Sequence, residues 1–304
     1  MPKMTRRTAL TAALGTAVFV GLDRSGVHAQ SASPEASPIA TPELPALAGY
    51  PTLTVTVSGA GLSLSSHTVP AGIVHFVVTN TTTGGDSTGA AVVGPGAGKT
   101  MAEMQAAAST PTAGNAFPPF LYDATILGGP SDPPAGESRA ALLNIPAGDW
   151  VVFNDGQLGS VPLTATTSGE SKTEVPKADA EVVFGDFNFS GLDAIKSGQQ
   201  LWKITNKGAQ PHMLVLAGVP KGTTMDQVMA TLMSQASGTP TAGALDPSTV
   251  QFLSDGVLLL STGQSMWLPI TLAAGEYVAL CFVTDPKTGK EHVMEGMEKL
   301  FTVG

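Results

Sequence analysis

Cysteine is almost absent: Cys281 is the single one in 304 residues. One thiol cannot make an internal disulfide, so it is a packed group, a reactive thiol, an intermolecular partner or a ligand. Positive charge is also scarce. Fifteen Lys and Arg face 24 Asp and Glu, a formal net of −9, and no basic run or arginine-rich segment occurs. Phosphate would repel such a surface, which excludes nucleic-acid binding as the main role. Long apolar runs are missing too, apart from Ala9 to Leu22. That run is short for a membrane span, follows Arg6 and Arg7, and precedes the small-x-small stretch Val27-His28-Ala29. This layout predicts a secretory signal over 1–29, with Thr5-Arg6-Arg7 and Leu10 similar to a twin-arginine signal. No cysteine follows it to carry a lipid, although an uncleaved signal would itself act as an anchor. The expectation is an exported protein, periplasmic, cell-surface or extracellular, with no membrane span once the signal is removed. Its loss takes Lys3, Arg6, Arg7 and Arg24 but only Asp23, so the remaining chain is still more acidic.

Residues 30–49 are rich in Pro, Ala and Ser and read as a linker. The rest reads as two copies of one unit. VPAGIVHFVVTN (69–80) and IKSGQQLWKITN (195–206) each give a turn, a strand and a terminal Thr-Asn. GAAVVGP (89–95) matches HMLVLAGVP (212–220), and IPAGDWVVFN (145–154) matches LAAGEYVALC (272–281). Thr100 with Glu103 and Thr224 with Gln227 are capping-box pairs, each opening a short helix that runs into TPTAG, at 110–114 and 239–243. Short β-branched or aromatic runs bounded by Gly, Pro, Asn and Ser predict strands. The fold class expected is all-β: two tandem Greek-key sandwiches, each with a short helix in a mid-domain insertion. The domains expected are 50–168 and 178–304, divided by the polar stretch near 168–178.

The chemistry is shared unequally between the copies. The second has His212 at the start of a strand, Cys281 at the end of another, His292, and then Met294 and Met297 before the final strand. In the first copy the counterpart of His212 falls near Ser87, and Asn154 stands where the second has Cys281. A thiolate, two imidazoles and a thioether form the trigonal-plus-axial set of a blue-copper site. The bland alternative is a packed thiol, a surface histidine and core methionines. A fold that only needed core would put apolar groups in both copies, so the asymmetry favours a metal site gained or lost after duplication. Other candidates read as structural. His67 and His75 have no cysteine company, Met225, Met229 and Met233 form a helical core stripe, and Met294 packs or faces solvent. Asp285, Glu291, Glu295 and Glu298 read as solvated charges around the cluster. GAGKT (96–100) lacks the full spacing of a phosphate loop.

TNKGAQPHMLVL, GEYVALC and HVMEGMEKLFTV resemble the plastocyanin-like cupredoxins, the type-1 blue-copper family. The resemblance is at motif level in the second copy and in architecture only in the first, which looks like a degenerate copy. Four residues separate His292 from Met297, as in that family. The resemblance implies one copper ion in the second domain, with His212, Cys281 and His292 as strong ligands and Met297 as the axial one. One departure stands out: ten residues, FVTDPKTGKE, lie between Cys281 and His292, where the family has only a few. Asp285-Pro286 and Thr288-Gly289 predict turns, so the insertion is a small hairpin or bulge whose feet bring the two ligands together or hold them apart.

Multicopper oxidases and copper nitrite reductases also use repeated cupredoxin domains, and they flank the type-1 cysteine with further copper-binding histidines. Here Leu280 and Phe282 are the neighbours, and the whole chain has five histidines. A two-copper mixed-valence centre would need a second cysteine. The expectation is therefore no enzyme but an exported one-electron carrier working with a redox partner protein. The alternatives are a metal-free cupredoxin-fold surface or binding protein, and a copper chaperone or buffer with a copper donor or acceptor as partner.

Overall fold

The computed structural model describes residues 47–82, 88–109, 117–154, 159–169 and 172–304. The signal, most of the linker, Ser87 and the first TPTAG lie outside the described residues. No helix among the described residues is long and apolar enough to cross a membrane.

Among the described residues eighteen strands follow in order. The first nine are β1 (Thr52–Ser58), β2 (Gly61–Leu64), β3 (Thr68–Pro70), β4 (Gly72–Asn80), β5 (Ala91–Gly94), β6 (Thr125–Gly128), β7 (Ser138–Ile145), β8 (Gly148–Phe153) and β9 (Ser160–Thr166). The second nine are β10 (Ala180–Gly185), β11 (Asn188–Ser190), β12 (Gly198–Asn206), β13 (His212–Val219), β14 (Gln251–Phe252), β15 (Val257–Leu260), β16 (Ser265–Leu272), β17 (Gly275–Leu280) and β18 (Glu298–Val303). Helices α1 (Met101–Ala108) and α3 (Met225–Ser237) open on the expected reciprocal caps, Thr100 with Glu103 and Thr224 with Gln227. A further short helix in the first insertion, α2 (Phe120–Asp123), has no sequence signal of that kind.

The strands build two tandem β-sandwiches. β3-β9-β8-β5-β6 form one face of the first, and β14-β13-β17-β18, with β15 on β13, form the matching face of the second. The opposite faces merge into one eight-stranded sheet, β11-β10-β12-β16-β7-β4-β1-β2. They merge because β16 pairs β7, with Met266 opposite Leu143 and Trp267 opposite Leu142. Alternation decides what each strand buries: in β1 Leu53, Val55 and Val57 point inward, and in β18 Phe301 and Val303 do. The core is continuous through both halves.

The Thr-Asn signature has the same use in both copies. Asn206 donates to the carbonyls of Gln210 and Leu260, both at 2.8 Å, and accepts from Gly208 N–H at 2.8 Å. Asn80 donates to Pro133 and accepts from Thr82 N–H at 2.8 Å. A buried amide thus satisfies the backbone where the chain leaves the sheet and crosses to the other face. In the second copy that crossing carries Gln210 and His212.

Candidate metal centre

His212 is the first residue of β13. Its partner in β15 is Leu260, while two residues on Leu214 faces Val257, so a bulge follows the histidine directly. Bulges re-aim side chains beside sites, and this one turns the ring inward. Cys281 follows the buried run of β17, and its sulfur accepts from Met213 N–H at 3.5 Å. His292 opens a single 3-10 turn, His292–Glu295, which ends on Gly296 in the left-handed region. Met297 comes next, with its N–H on the His292 carbonyl at 2.9 Å and its carbonyl accepting from Cys281 N–H at 3.3 Å.

The insertion is a hairpin. Thr284 bridges Glu291, His292 N–H donates to Val283 at 2.7 Å, and Val293 N–H donates to the Cys281 carbonyl at 2.8 Å. Its tip, 286–290, is exposed, while its feet hold Cys281 and His292 side by side. Of the two arrangements open to the sequence, the structure has the converging one.

The Nδ1 atoms of His212 and His292 lie 3.1 Å apart, and Cys281 Sγ lies 3.5 Å from His292 Nδ1 and 3.9 Å from His212 Nδ1. All three residues are 0 % exposed, as is Met297. Among the described residues this is the one group of three or more His, Cys, Asp or Glu ligand atoms close enough to share an ion. Nitrogen and thiolate ligands stand about 2.0–2.1 Å and about 2.3 Å from a first-row ion such as zinc. Donors around one ion are therefore about 3–4 Å apart, which these are.

The outer ring nitrogens are held as well. Asp186 Oδ1 lies 3.2 Å from His212 Nε2, and Gln210 Oε1 lies 3.0 Å from His292 Nε2. A carboxylate can only accept, so His212 carries its proton on Nε2 and its Nδ1 presents a lone pair. Gln210 turns its amide N–H to Asp285 and its oxygen to His292, which gives the second imidazole the same tautomer. Two lone pairs and a sulfur converge on one point. That arrangement suits a cation and wastes acceptors without one.

Electrostatics follow burial. Burial holds His292 down at about 4, helped by the neighbouring His212 and opposed by Asp285 and Asp186. Burial likewise lowers His212, against Asp186. Burial pushes the Cys281 thiol up to about 12, against the N–H groups of Met213 and Val283. For Asp186 burial pushes upward, but the Ala209 N–H, His212 and the Gln210 N–H outweigh it and the net shift is downward. Burial raises Glu291 to about 7, so this carboxyl beside the site is not the plain solvated charge its sequence context implied.

Residues that sequence reasoning passed over complete the wall. The β10–β11 turn carries Asp186 and Phe187, and the Phe187 ring meets His292 edge-on at 5.2 Å. Phe187 has φ 61°, a left-handed conformation uncommon for a bulky residue. Gly208 is needed for space: a Cβ there would lie 2.4 Å from Asp186 Oδ1 and 2.6 Å from His212 Nε2. The signal that could have found these residues is the repeat, because the matching β1–β2 turn has Gly59-Ala60.

The other candidates fall elsewhere. Register sets Thr88, not Ser87, opposite His212 in the repeat, since Ala91 pairs Phe153 as Val215 pairs Leu280. Thr88 and Asn154 are buried and spend their polar atoms on the Pro133 and Gly89 carbonyls. Gly159 occupies the place of Met297. His67 contacts the Pro162 carbonyl and His75 contacts Thr52. Met225 and Met229 pack on the core, but Met233 is 50 % exposed, so the expected stripe stops one turn short. Met294 is 40 % exposed.

No family model matches the chain, and no curated protein does. Among solved structures it is similar to dithionite-reduced auracyanin from Roseiflexus castenholzii, at 19 % identity and a TM-score of 0.27, covering 41 % of this chain and 94 % of that one. It is similar to a multi-copper oxidase from Pediococcus acidilactici, at 12 % identity and a TM-score of 0.22, covering 84 % and 59 %. It is also similar to a copper-containing nitrite reductase from Thermus scotoductus, at 11 % identity and a TM-score of 0.21, covering 83 % and 61 %. The chain thus spans about three fifths of the lengths of the oxidase and the reductase. The all-β architecture of two tandem sandwiches is the one the sequence led us to expect. These likenesses concern fold alone, and they correct one expectation. The reading of the chain as no enzyme is withdrawn, because the proteins it is similar to include enzymes. The scarcity of histidines argued against one arrangement of several coppers, not against catalysis as such.

Proposed function

We propose that this chain is an exported copper-binding protein that carries single electrons between partner proteins. Residues 178–304 form the copper-binding sandwich and 50–168 the sandwich without ligands. His212, Cys281 and His292 are the strong ligands of one ion, and Met297 is the axial one. The observation that carries this reading is the convergence of two Nδ1 atoms and one sulfur at 3.1, 3.5 and 3.9 Å, with both outer nitrogens engaged by Asp186 and Gln210. Copper, when bound, supplies a one-electron couple between its singly and doubly charged forms. The residues supply rigidity. Each imidazole is fixed at both nitrogens, and the sulfur sits between two strands, so little has to move when the charge changes.

Titration of the purified protein with Cu(II), followed by visible absorption, tests this. The expected result is an intense thiolate-to-copper band at one equivalent that Cys281→Ser abolishes, and a reversible couple that Met297→Leu shifts. No such band in the unaltered protein refutes the reading. Tight Cu(I) binding without a reversible couple turns it to copper carriage.

A further inference from the structure

The insertion between Cys281 and His292 does more than close the loop. Thr284 and Glu291 face each other between the bonds His292 N–H to Val283 and Asp285 N–H to Lys290, both 2.7 Å. In that register the Thr284 carbonyl points away from its own hairpin and needs a partner from elsewhere. Tyr122, in α2 of the first sandwich, donates its hydroxyl to it. Phe117 meets the Tyr122 ring edge-on at 5.3 Å. Burial, then the charges of Asp285 and Cys281, raise the phenol above its usual range, so it stays a neutral donor close to both.

The contact continues to the candidate centre. Asp285, the next residue, accepts from Lys287 N–H at 2.6 Å and from the Gln210 side chain, and Gln210 Oε1 meets His292 Nε2 at 3.0 Å. The segment holding Tyr122 is itself anchored beside the other imidazole. Ser261, directly after β15, donates to the Ala124 carbonyl at 3.1 Å and accepts from Ile126 N–H at 2.9 Å. Leu260, its neighbour, is the strand partner of His212. Residues 122–126 therefore touch the loop that carries His292 and the strand that faces His212.

We propose that Tyr122 is a positioning residue of the metal centre: through it the ligand-free sandwich holds the insertion hairpin so that Asp285 and Gln210 fix the His292 ring. This rests on the copper-binding reading and gives the degenerate sandwich a part in it.

The test is Tyr122→Phe in the full chain, with Gln210→Leu and the double variant. In copper-loaded protein, Tyr122→Phe is expected to shift the charge-transfer band and the reduction potential and to speed copper loss to a chelator, by less than the about 10–100-fold that loss of a direct imidazole partner such as Gln210 costs. Gln210→Leu cuts the same chain nearer the ring, so adding Tyr122→Phe to it should change the band no further. An unchanged band, potential and release rate in Tyr122→Phe, or independent effects in the double variant, overturns the proposal. Nitrogen NMR of the His292 ring in metal-free protein gives a readout without copper: Tyr122→Phe should move it, and an unmoved resonance overturns the proposal. Failure of the unaltered protein to take up copper would instead refute the copper reading.

Discussion

His212 and His292 face each other through bare Nδ1 atoms 3.1 Å apart, each with its outer nitrogen bonded to an acceptor. Both rings are neutral at pH 7 in the metal-free protein, with His292 held at about 4, while the Cys281 thiol is pushed up to about 12. The imidazoles then have no proton to lose on binding, and the thiol has one. In Glu291→Gln, where the carboxyl raised to about 7 beside the site can no longer contribute, copper uptake at pH 7 should release one proton per ion in an unbuffered titration with an indicator dye. Two or more would mean that a ring is charged before the metal arrives.

The Asp186–His212 contact depends on Gly208 because a Cβ there would occupy its space. Asp186→Ala removes the acceptor, and Gly208→Ala should push it away. Each is expected to weaken copper binding about 10–100-fold, the usual cost of losing such a partner. The methyl at 208 would also crowd His212 Nε2 directly, so Gly208→Ala should be the worse single variant and the double variant no weaker than it. Competition titration against a chelator measures all three, and Asp186→Asn, which keeps an acceptor, should recover part of the loss.

Two groups side by side give metal-free stability opposing pH trends. His292 stays neutral in the folded chain down to about 4, while the unfolded chain takes up the proton near 6.5. Between those values the unfolded state binds more protons, so stability rises with pH. Glu291 is raised to about 7 from about 4.5, so over that window the folded state binds more protons and stability falls with pH. The two partly cancel. In Glu291→Gln the opposing trend is gone, and the urea midpoint of metal-free protein should climb more steeply from pH 4.5 to 7 than in the unaltered chain. An equal or flatter climb would contradict the raised carboxyl.

The ligand types were legible in the sequence because cysteine and histidine are rare here and their absence from the sister copy stands out. The sandwiches were legible because alternation and the repeated Thr-Asn mark strands whose burial and crossing the chain must satisfy locally. The supports were not. Asp186, Gln210 and Asp285 are residue types that surfaces carry everywhere, and only the fold shows Asp186 and Gln210 aimed at rings and Asp285 bonded behind Gln210. The Thr88 register was missed because a bulge and unequal crossings shift the count along the chain. Tyr122 meets Thr284 across 162 positions, a pairing with no local pattern at all.

Phe187 joins a strained backbone to a ring contact, and the two can be separated. At φ 61° a residue with a Cβ costs about 1–2 kcal/mol that glycine does not. The phenyl in turn shields the His292 edge, which is 0 % exposed. Phe187→Gly relieves the first and forfeits the second, so the unfolding midpoint should stay near that of the unaltered protein. Copper loss to a small chelator should nonetheless quicken, because water and ligand then reach the imidazole. Phe187→Leu keeps the strain and part of the cover, so it should lose more stability than Phe187→Gly while holding copper longer. Denaturant melts and stopped-flow copper release read the two effects separately, and a Phe187→Gly protein that unfolds early yet keeps its copper would reverse the assignment.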